Sequence, residues 1–304
     1  MWSVADVPSQ AGRVAVVTGA SAGIGFATAK ALAERGCHVV LAVRDPLRGR
    51  DAAARIDGST AVTRLDLAAL DSVRSAATEL TGQYPRIDLL INNAAAWSAT
   101  RAETRDGFEL QLGVNHLGHF AFTGLLLGAM LATPASRVVT VSSVSHRGGT
   151  LDLADLSMLD DYRHATAYAR SKLANLLFAF ELSRRLAQAG AATASLAAHP
   201  GGVWTGLFRG ANPAWLVHTV GRLVTQSPER GALATLRAAT DPAAEGGQYY
   251  GPGGIGELRG APKPVQASAR AHDQTLAGAL WEESERLTGV TYGPPSGTAT
   301  THRP

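Results

Sequence analysis

The sequence predicts an α/β fold in which a doubly wound, parallel β-sheet carries helices on both faces. Short runs of β-branched and aliphatic residues alternate with stretches of helix formers from residue 13 to about residue 200. The first of these runs ends in a glycine-rich turn, TGASAGIG at residues 18–25, which leads into the first helix. Strands that alternate with helices build βαβ units, whose right-handed crossovers give a parallel sheet covered on both sides.

Each element follows from local composition. Apolar, β-branched runs bounded by glycines or polar residues predict strands at residues 13–18, 38–43, 61–65, 88–91, 137–141, 193–197 and 247–250. Runs rich in helix formers predict helices at residues 27–35, 52–56, 68–80, 107–131, 168–189, 228–240 and 281–287. Residues 251–264 are dense in Gly and Pro and predict a loop.

The chain is predicted to form one domain over residues 1–304, because it holds no internal repeat and no linker long enough to separate two domains. Within it we expect a core over about residues 13–200, a substrate lid with C-terminal elements over about 201–293, and a flexible tail over about 294–304. The lid prediction rests on apolar residues between 203 and 224, which could equally pack as core or as an oligomer contact. They are Trp204, Leu207, Phe208, Trp215 and Leu216.

The composition excludes several classes of protein. Hydrophobic residues make up 45% of the 304 residues and charged ones 17%, which is typical of a globular protein. The net charge of +3 is small and the arginines are scattered, so we expect no nucleic-acid partner. We also expect no N-terminal signal and no membrane span, because no apolar run approaches the required length. The single cysteine, Cys37, favours a reducing compartment, and we expect a cytoplasmic protein.

Tyr168 and Lys172 are four residues apart in a predicted helix and therefore share one of its faces. A free phenol has a pKa of about 10, and a nearby ammonium group lowers that value. The pair is therefore a candidate acid/base catalyst for interconverting an alcohol and a carbonyl. Tyr and Lys also occur at this spacing by chance, so the pair gains weight only from other motifs.

The glycine-rich turn is the first of those motifs. Glycines at this point allow backbone N–H groups at a helix N-terminus to approach a pyrophosphate. An ordinary βα loop is the alternative, but the turn has the strand–turn–helix context that nucleotide binding requires. Further blocks follow in order along the chain: Asn92-Asn93-Ala94-Ala95, Asn115, Ser142-Ser143, Tyr168-x-x-Ser171-Lys172 and Pro200-Gly201.

This order of blocks resembles the short-chain dehydrogenase/reductase family, whose members have a Rossmann fold. The resemblance covers nearly the whole chain, although Ala95 replaces the glycine of the family's Asn-Asn-Ala-Gly block. The stretches at residues 106–120, 171–175 and 280–284 resemble the branch that holds retinol dehydrogenases, WW-domain oxidoreductases and protochlorophyllide reductases. Retinol dehydrogenases often carry an N-terminal membrane anchor, which we do not expect here.

The resemblance implies four catalytic residues. Tyr168 would be the general acid/base, while Lys172 would lower the Tyr168 pKa and contact the nicotinamide ribose. Ser143 would hydrogen-bond the substrate oxygen, and Asn115 would support a water that relays protons to the lysine. Two donors that converge on one oxygen stabilise the charge that develops there during hydride transfer.

The resemblance also implies a nicotinamide cofactor, and the end of the second strand favours NADP(H) over NAD(H). An acid there would accept hydrogen bonds from the ribose 2′-hydroxyl, whereas this chain has Arg44, which suits a 2′-phosphate. Asp45 complicates this assignment, but it lies one position later than the usual acid. Asp66 matches the family's adenine-contacting acid, with a helix N-cap as the alternative. The predicted cofactor-binding residues are Gly19, Ser21, Gly23, Ile24, Gly25, Arg44, Asp66, Leu67, Asn93, Ala94, Tyr168, Lys172, Pro200, Gly201, Val203 and Thr205.

The leading functional hypothesis is an NADP(H)-dependent oxidoreductase that acts on a hydrophobic alcohol or carbonyl compound. The alternatives are a reductase of a conjugated C=C bond and a non-catalytic nucleotide-binding regulator or adaptor. We expect a homodimer or homotetramer that pairs through the helices at 107–131 and 168–189, as is common in the family. No metal site is expected, and His116 and His119 are interpreted as packed or hydrogen-bonded histidines.

Overall fold

The computed structural model describes residues 2–160, 162–202 and 226–293. The strands are β1 (Val14–Thr18), β2 (His38–Val43), β3 (Thr60–Arg64), β4 (Leu89–Asn92), β5 (Arg137–Val141), β6 (Ala194–Ala198), β7 (Tyr249–Pro252) and β8 (Pro262–Pro264). The helices are α1 (Gly23–Ala33), α2 (Pro46–Ala53), α3 (Leu70–Gln83), α4 (Leu110–Leu131), α5 (His164–Gln188), α6 (Pro228–Thr240) and α7 (Gln274–Thr288). Short 3₁₀ turns cover Val4–Asp6, Val144–Gly148, Ile255–Glu257 and Ala269–His272.

The described strands form one sheet of eight, in the order β3-β2-β1-β4-β5-β6-β7-β8. All neighbours are parallel except β7 and β8, which pair antiparallel. The order runs outwards in both directions from β1 and β4, so these two strands flank the point where the chain reverses its direction of winding. Ligands bind in open α/β sheets at such a point, outside the carboxyl ends of the strands.

Helices cover both faces of the sheet, which confirms the predicted fold class. On one face, α1, α2 and α6 pack against Ala15 and Val17 of β1. On the other face, α3, α4 and α5 pack against Val16. The side chains of β1 alternate between the two faces, as they must in a strand, and almost all are buried because both faces are covered.

Several predicted boundaries are wrong, and capping explains most of the differences. Helix α2 begins at Pro46 and not at residue 52, because Asp45 caps it and proline suits its first turn. Helix α7 begins at Gln274 and not at residue 281, because Asp273 caps its N-terminus. The predicted loop at 251–264 contains β8, whose prolines are tolerated because the strand lies at the edge of the sheet.

Helix α4 is long and apolar enough to cross a membrane, judged by length and composition alone. This corrects the expectation that no apolar run approaches that length. In the fold, 67% of its most apolar 18-residue window is buried inside the protein, as in a core helix. The absence of a membrane span therefore stays a prediction.

Three groups of predictions lie outside the described residues. They are the cofactor contacts of Val203 and Thr205, the apolar lid between residues 203 and 224, and the flexible tail at about 294–304. Pairing with a second copy also stays a prediction, and α7 restricts it, because Trp281 of that helix covers part of α4 and α5.

Candidate active site

The predicted site residues come from loops that follow parallel strands, so the fold collects them at one edge of the sheet. The glycine turn follows β1, Asn93 follows β4, Ser143 follows β5 and Pro200 follows β6. Helix α5, which carries Tyr168 and Lys172, packs against the turn after β5. The edge therefore joins the predicted cofactor residues and the predicted catalytic residues into one site.

The glycine turn leaves the N-terminus of α1 open to a ligand. Gly19 and Gly23 have φ angles of 66° and 59°, in the left-handed region that favours glycine. A Cβ at Gly25 would lie 2.5 Å from Asn93 Nδ2 and 2.6 Å from the Gly19 carbonyl oxygen, so only glycine fits. No side chain caps α1, and no acid lies in its first turn. Uncapped N–H groups beside a glycine cradle fit the pyrophosphate of a dinucleotide.

Thr18, Asn93 and Ala94 hold the turn against the loop that follows β4. The backbone N–H groups of Asn93 and Ala94 each donate to Thr18 Oγ1 at 2.9 Å. Asn93 Nδ2 donates to the Thr18 carbonyl oxygen at 2.8 Å. These bonds cross the gap between β1 and β4, where the winding of the sheet reverses. The two predicted cofactor-binding segments are therefore a single rigid unit.

The end of β2 leaves Arg44 exposed, whereas the neighbouring acid is engaged. Asp45 Oδ1 accepts from the backbone N–H groups of Leu47 at 3.0 Å and Arg48 at 3.4 Å, which caps α2. A carboxylate used in this way is less available to a ribose hydroxyl. Arg44 therefore presents an exposed guanidinium group at this strand end, while one oxygen of Asp45 is committed to the helix cap.

Asp66 lies in the loop between β3 and α3. Its Oδ1 accepts from the Ala68 N–H at 3.1 Å, while the N-cap residue of α3 is Ala69. The alternative interpretation of Asp66 as the N-cap is therefore wrong, because its carboxylate holds the preceding turn. The backbone of Leu67, the next predicted cofactor residue, packs closely against Gly118 of α4, where a Cβ would lie 2.6 Å from the Leu67 carbonyl oxygen.

Three of the four predicted catalytic residues meet between β5 and α5. Ser143 lies beside the Tyr168 phenol and favours its ionised form, which lowers the Tyr168 pKa. The Lys172 ammonium lies 5.6 Å from the centre of the Tyr168 ring and donates to the Val141 carbonyl oxygen at 3.2 Å. Ser142 donates from Oγ to the Lys172 carbonyl oxygen at 2.7 Å, which fixes the helix against the strand end. Ser142 therefore has the strand-end role, and Ser143 faces the tyrosine.

The ionisation of this pair differs from the sequence prediction. Burial raises the pKa of Tyr168 to about 12, and the hydrogen bond from Ser143 offsets only part of this rise. Burial also lowers the pKa of Lys172 to about 8. The predicted lowering of the Tyr168 pKa by Lys172 is therefore wrong: burial dominates, because a buried phenolate is poorly solvated, and the group that opposes the rise is Ser143. The phenol holds its proton at neutral pH, and its side chain is still partly exposed, so a substrate can reach it.

Asn115, the fourth predicted catalytic residue, is buried in the π-helical turn of α4. Its Nδ2 donates to Ser171 Oγ at 2.9 Å and to the Ala96 carbonyl oxygen at 3.1 Å, and its Oδ1 accepts from the Ala96 N–H at 2.6 Å. Ser171 Oγ in turn donates to the Tyr168 carbonyl oxygen at 2.8 Å. The side chain of Asn115 therefore ties the loop after β4 to the helix that carries Tyr168.

The loop after β6 is held by residues near the C-terminus. The Gly201 N–H donates to His199 Nδ1 at 3.2 Å, and His199 Nε2 lies 3.1 Å from Glu257 Oε2. Glu257 Oε1 also accepts from Arg147 Nη2 at 2.8 Å, in the turn that follows Ser143. Glu257 therefore links the loop of Pro200 and Gly201 to the Ser143 turn.

The segment between Ser143 and Tyr168 lies beside the site. Tyr162 donates from its hydroxyl to the Ser98 carbonyl oxygen at 3.2 Å, and it accepts from Gln111 Nε2 at 2.8 Å. Arg170 donates to the Asp155 carbonyl oxygen at 2.6 Å. These bonds attach the segment to α4 and α5, and no group of three or more metal-ligating side chains occurs among the described residues.

Comparison with known proteins agrees with this geometry, since residues 13–214 match the family described as short chain dehydrogenase. The chain belongs to that family. A polyprenol dehydrogenase of Mus musculus is 44% identical over 96% of this chain and 89% of its own length. Retinol dehydrogenase 14 of Homo sapiens is 37% identical over 92% of this chain and 87% of its own length. The protein is therefore an NAD(P)-dependent oxidoreductase of the retinol dehydrogenase-like branch.

Solved structures of other short chain dehydrogenases share the fold. A crystal structure of an uncharacterised protein from Mycobacterium paratuberculosis is 42% identical, with a TM-score of 0.82, and the match covers 96% of this chain and 99% of that one. The complex of Pseudomonas aeruginosa RhlG with NADP is 25% identical, with a TM-score of 0.65 over 79% of this chain and 94% of that one.

Sequence reasoning missed two residues of this short chain dehydrogenase site. The sequence assigns Thr18 to the strand end and to the glycine-rich turn but gives its side chain no role, although its hydroxyl joins the turn to Asn93 and Ala94. Glu257 lies in a stretch that predicted a plain loop, and its role depends on a tertiary contact that no local pattern indicates. His119 was correctly interpreted as a hydrogen-bonded histidine, and its position four residues after Asn115 was the available signal of proximity to the site.

Proposed function

We propose that this protein is an NADP(H)-dependent oxidoreductase that interconverts a hydrophobic alcohol and its carbonyl product, with Tyr168 as the general acid/base. The observation that carries the proposal is that Ser143, the Tyr168 phenol and the buried Lys172 ammonium meet at one place between β5 and α5. A phenol and a hydroxyl on one side of a partly open site can both donate to a single substrate oxygen.

Each residue has a defined part in the reduction of a carbonyl compound. The bound nicotinamide supplies the hydride. Ser143 donates a hydrogen bond to the carbonyl oxygen and holds it near the phenol. Tyr168 then gives its proton to that oxygen as negative charge develops there. Lys172 stabilises the resulting phenolate, and Asn115 keeps α5 in register with the loop after β4. The raised pKa of Tyr168 suits this direction, because the phenol begins the reaction protonated.

The preference for NADP(H) is supported by the charges at the end of β2. Arg44 is exposed there, and Asp45 is engaged as the cap of α2. A guanidinium group binds a phosphate with charge-assisted hydrogen bonds. Ser21, in the glycine turn, adds a hydroxyl that can donate to the same phosphate.

The hydrophobic substrate is supported by the names of the relatives, which are dehydrogenases of polyprenol and retinol. Both names refer to isoprenoid alcohols with a large apolar body. We therefore propose a long, apolar alcohol, or the corresponding aldehyde or ketone, as the substrate class.

The test is an assay of NADPH oxidation with a panel of apolar aldehydes, ketones and quinones, and of NADP⁺ reduction with isoprenoid alcohols. Tyr168→Phe should lower kcat by about 10²- to 10⁴-fold, the usual contribution of a general acid, while NADPH still binds. Tyr162→Phe is the matched control, because its hydroxyl bonds Ser98 and Gln111 outside the proposed machinery, and it should keep its activity. Equal turnover by wild type and Tyr168→Phe would refute the assigned mechanism.

A further inference from the structure

A buried imidazole, that of His119, lies between the glycine turn and Asn115, whose side chain bonds Ser171 of α5, the catalytic helix that carries Tyr168. Its side chain is 1% exposed and is carried by α4, one helical turn after Asn115. His119 Nε2 is 2.9 Å from Thr18 Oγ1, and His119 Nδ1 is 3.0 Å from the Asn115 carbonyl oxygen. One side chain thus contacts the strand end that begins the nucleotide turn and the backbone of a proposed catalytic residue.

The protons in this contact can be assigned from its partners. A carbonyl oxygen only accepts, so His119 Nδ1 must carry the proton that faces Asn115. Nε2 of the neutral ring is then an acceptor, and Thr18 must donate its hydroxyl proton to it. Thr18 Oγ1 is also 3.3 Å from the Ile91 carbonyl oxygen, but the contact with His119 is the shorter one. The lone pairs of Thr18 Oγ1 accept from Asn93 and Ala94.

The ring stays neutral over the pH range in which the protein would work. Burial is the main cause that lowers the pKa of His119 to about 4; the bond to Asn115 opposes this shift and the nearby charge of Lys172 adds to it. His116 is the other titratable neighbour, and burial holds its pKa at about 3. A neutral ring keeps one donor and one acceptor, which is what its two partners require.

We propose that His119 is a positioning residue that couples the cofactor-binding turn to the catalytic helix. Nε2 accepts a hydrogen bond from the Thr18 hydroxyl and orients it, and Nδ1 donates to the Asn115 carbonyl oxygen and holds that part of α4 in place. The inference rests on the proposed function, because it assigns one end of His119 to cofactor binding and the other to the catalytic step. The two ends can be separated by substitution.

Two conservative substitutions each remove one of the two hydrogen bonds of His119 and keep the other. In His119→Asn, the carboxamide nitrogen takes the place of Nδ1 and can still donate to the Asn115 carbonyl oxygen, but nothing reaches Thr18. In His119→Gln, the longer side chain places an acceptor near Nε2 for Thr18, and the bond to Asn115 is lost. We expect His119→Asn to weaken NADPH binding about tenfold with kcat nearly unchanged, and His119→Gln to lower kcat about tenfold with NADPH binding nearly unchanged.

His116→Asn is the matched control, because the shorter side chain does not reach the partner of Nε2. His116 lies on the same helix and is equally buried, but its Nε2 bonds Ser284 of α7 at 2.9 Å, away from the proposed machinery. This variant should lower the thermal midpoint and leave both kcat and the dissociation constant of NADPH within about twofold of wild type. The proposal would be overturned if both His119 variants lost stability as this control does, while kcat and the dissociation constant of NADPH did not differ between them.

Titration of the protein with NADPH, followed by protein fluorescence, separates this inference from the proposed function. A wild type that binds neither NADPH nor NADH would refute the proposed function. A wild type that binds and turns over, with His119→Asn and His119→Gln indistinguishable, would refute only the role of His119. Thr18→Val provides a second route if a His119 variant fails to fold: it should weaken NADPH binding, whereas Thr18→Ser should not. Thr18→Val also removes the acceptor for the Asn93 and Ala94 N–H groups, so it should cost more than His119→Asn. Combined with His119→Asn, its loss should be smaller than the sum of the two single losses, because the bond between Thr18 and His119 is counted in both.

Discussion

Lys172 illustrates how single residues in this site depend on their surroundings. Its ammonium group is buried, and burial lowers its pKa to about 8. Two features offset part of the cost of burying the charge, namely the Val141 carbonyl oxygen and the face of the Tyr168 ring. The charged form of Lys172 is needed to stabilise a phenolate. Activity that depends on it should therefore decline as pH rises through about 8.

Arg44 is the residue on which the cofactor preference depends. Replacement of Arg44 by Ala should weaken NADPH binding by about one to two orders of magnitude, because a charge-assisted contact with the 2′-phosphate is lost. NADH binding should change little. Dissociation constants for both cofactors, measured by fluorescence titration, provide the check. Arg50→Ala, which removes another exposed charge of the same segment, serves as the control. Equal losses of affinity for NADPH and NADH in Arg44→Ala would reject the 2′-phosphate role.

At the scale of elements, the site is assembled by the ends of strands and the starts of helices. The glycine turn is rigid because Asn93 and Ala94 bond Thr18 on one side and α1 begins at Gly23 on the other. Asn115 is positioned by a different local irregularity, the π-helical turn of α4. Such turns widen the helix locally and often occur at functional sites.

Gly25→Ala tests whether the close packing of this turn matters for the cofactor. The added Cβ would meet Asn93 Nδ2 at 2.5 Å and the Gly19 carbonyl oxygen at 2.6 Å, so the turn must shift. We expect NADPH binding to weaken by at least about tenfold. Gly128→Ala is the control, because nothing lies within 4 Å of its Cβ position on α4. Gly128→Ala should stabilise the protein by about 0.5–1 kcal/mol and leave NADPH binding unaltered. A Gly25→Ala variant that binds NADPH as tightly as wild type would contradict the expectation.

The sequence predicted strands such as β2 and β5 within their observed bounds, because parallel strands buried on both faces are continuous apolar runs. Spacing alone placed Tyr168 and Lys172 on one helix face, and the resemblance to the family added Ser143 to them. The sequence could not predict Glu257, which contacts His199 and Arg147 only through the fold. The raised pKa of Tyr168 was equally out of reach, because burial is a property of the tertiary structure.

At the scale of the whole molecule, the C-terminal helix forms a second layer over the helices that carry the site. Trp281 of α7 is 2% exposed. Its ring centre lies 5.2 Å from that of Phe120 on α4 and 5.8 Å from that of Phe178 on α5. Tyr292 closes the cluster at 4.4 Å, and the Arg185 guanidinium lies 4.3 Å above the Trp281 ring. These contacts join α7 to the two helices that position Asn115 and Tyr168.

Trp281→Ala should therefore destabilise the whole protein and not α7 alone. Removal of a buried tryptophan from a packed aromatic cluster costs about 3–5 kcal/mol, from lost burial and from the cavity that remains. Urea unfolding followed by circular dichroism measures this change, and a single shifted transition would show that α7 unfolds together with the sheet. Leu47→Ala is the control, because Leu47 is 67% exposed and its loss should change stability by less than about 0.5 kcal/mol.

A separate early transition in Trp281→Ala, with the main transition unshifted, would instead mean that α7 packs on the domain without supporting it. If α7 does not support the domain, Trp281→Ala should leave kcat unchanged. If α7 unfolds together with the sheet, activity and the helical circular dichroism signal should be lost at the same urea concentration.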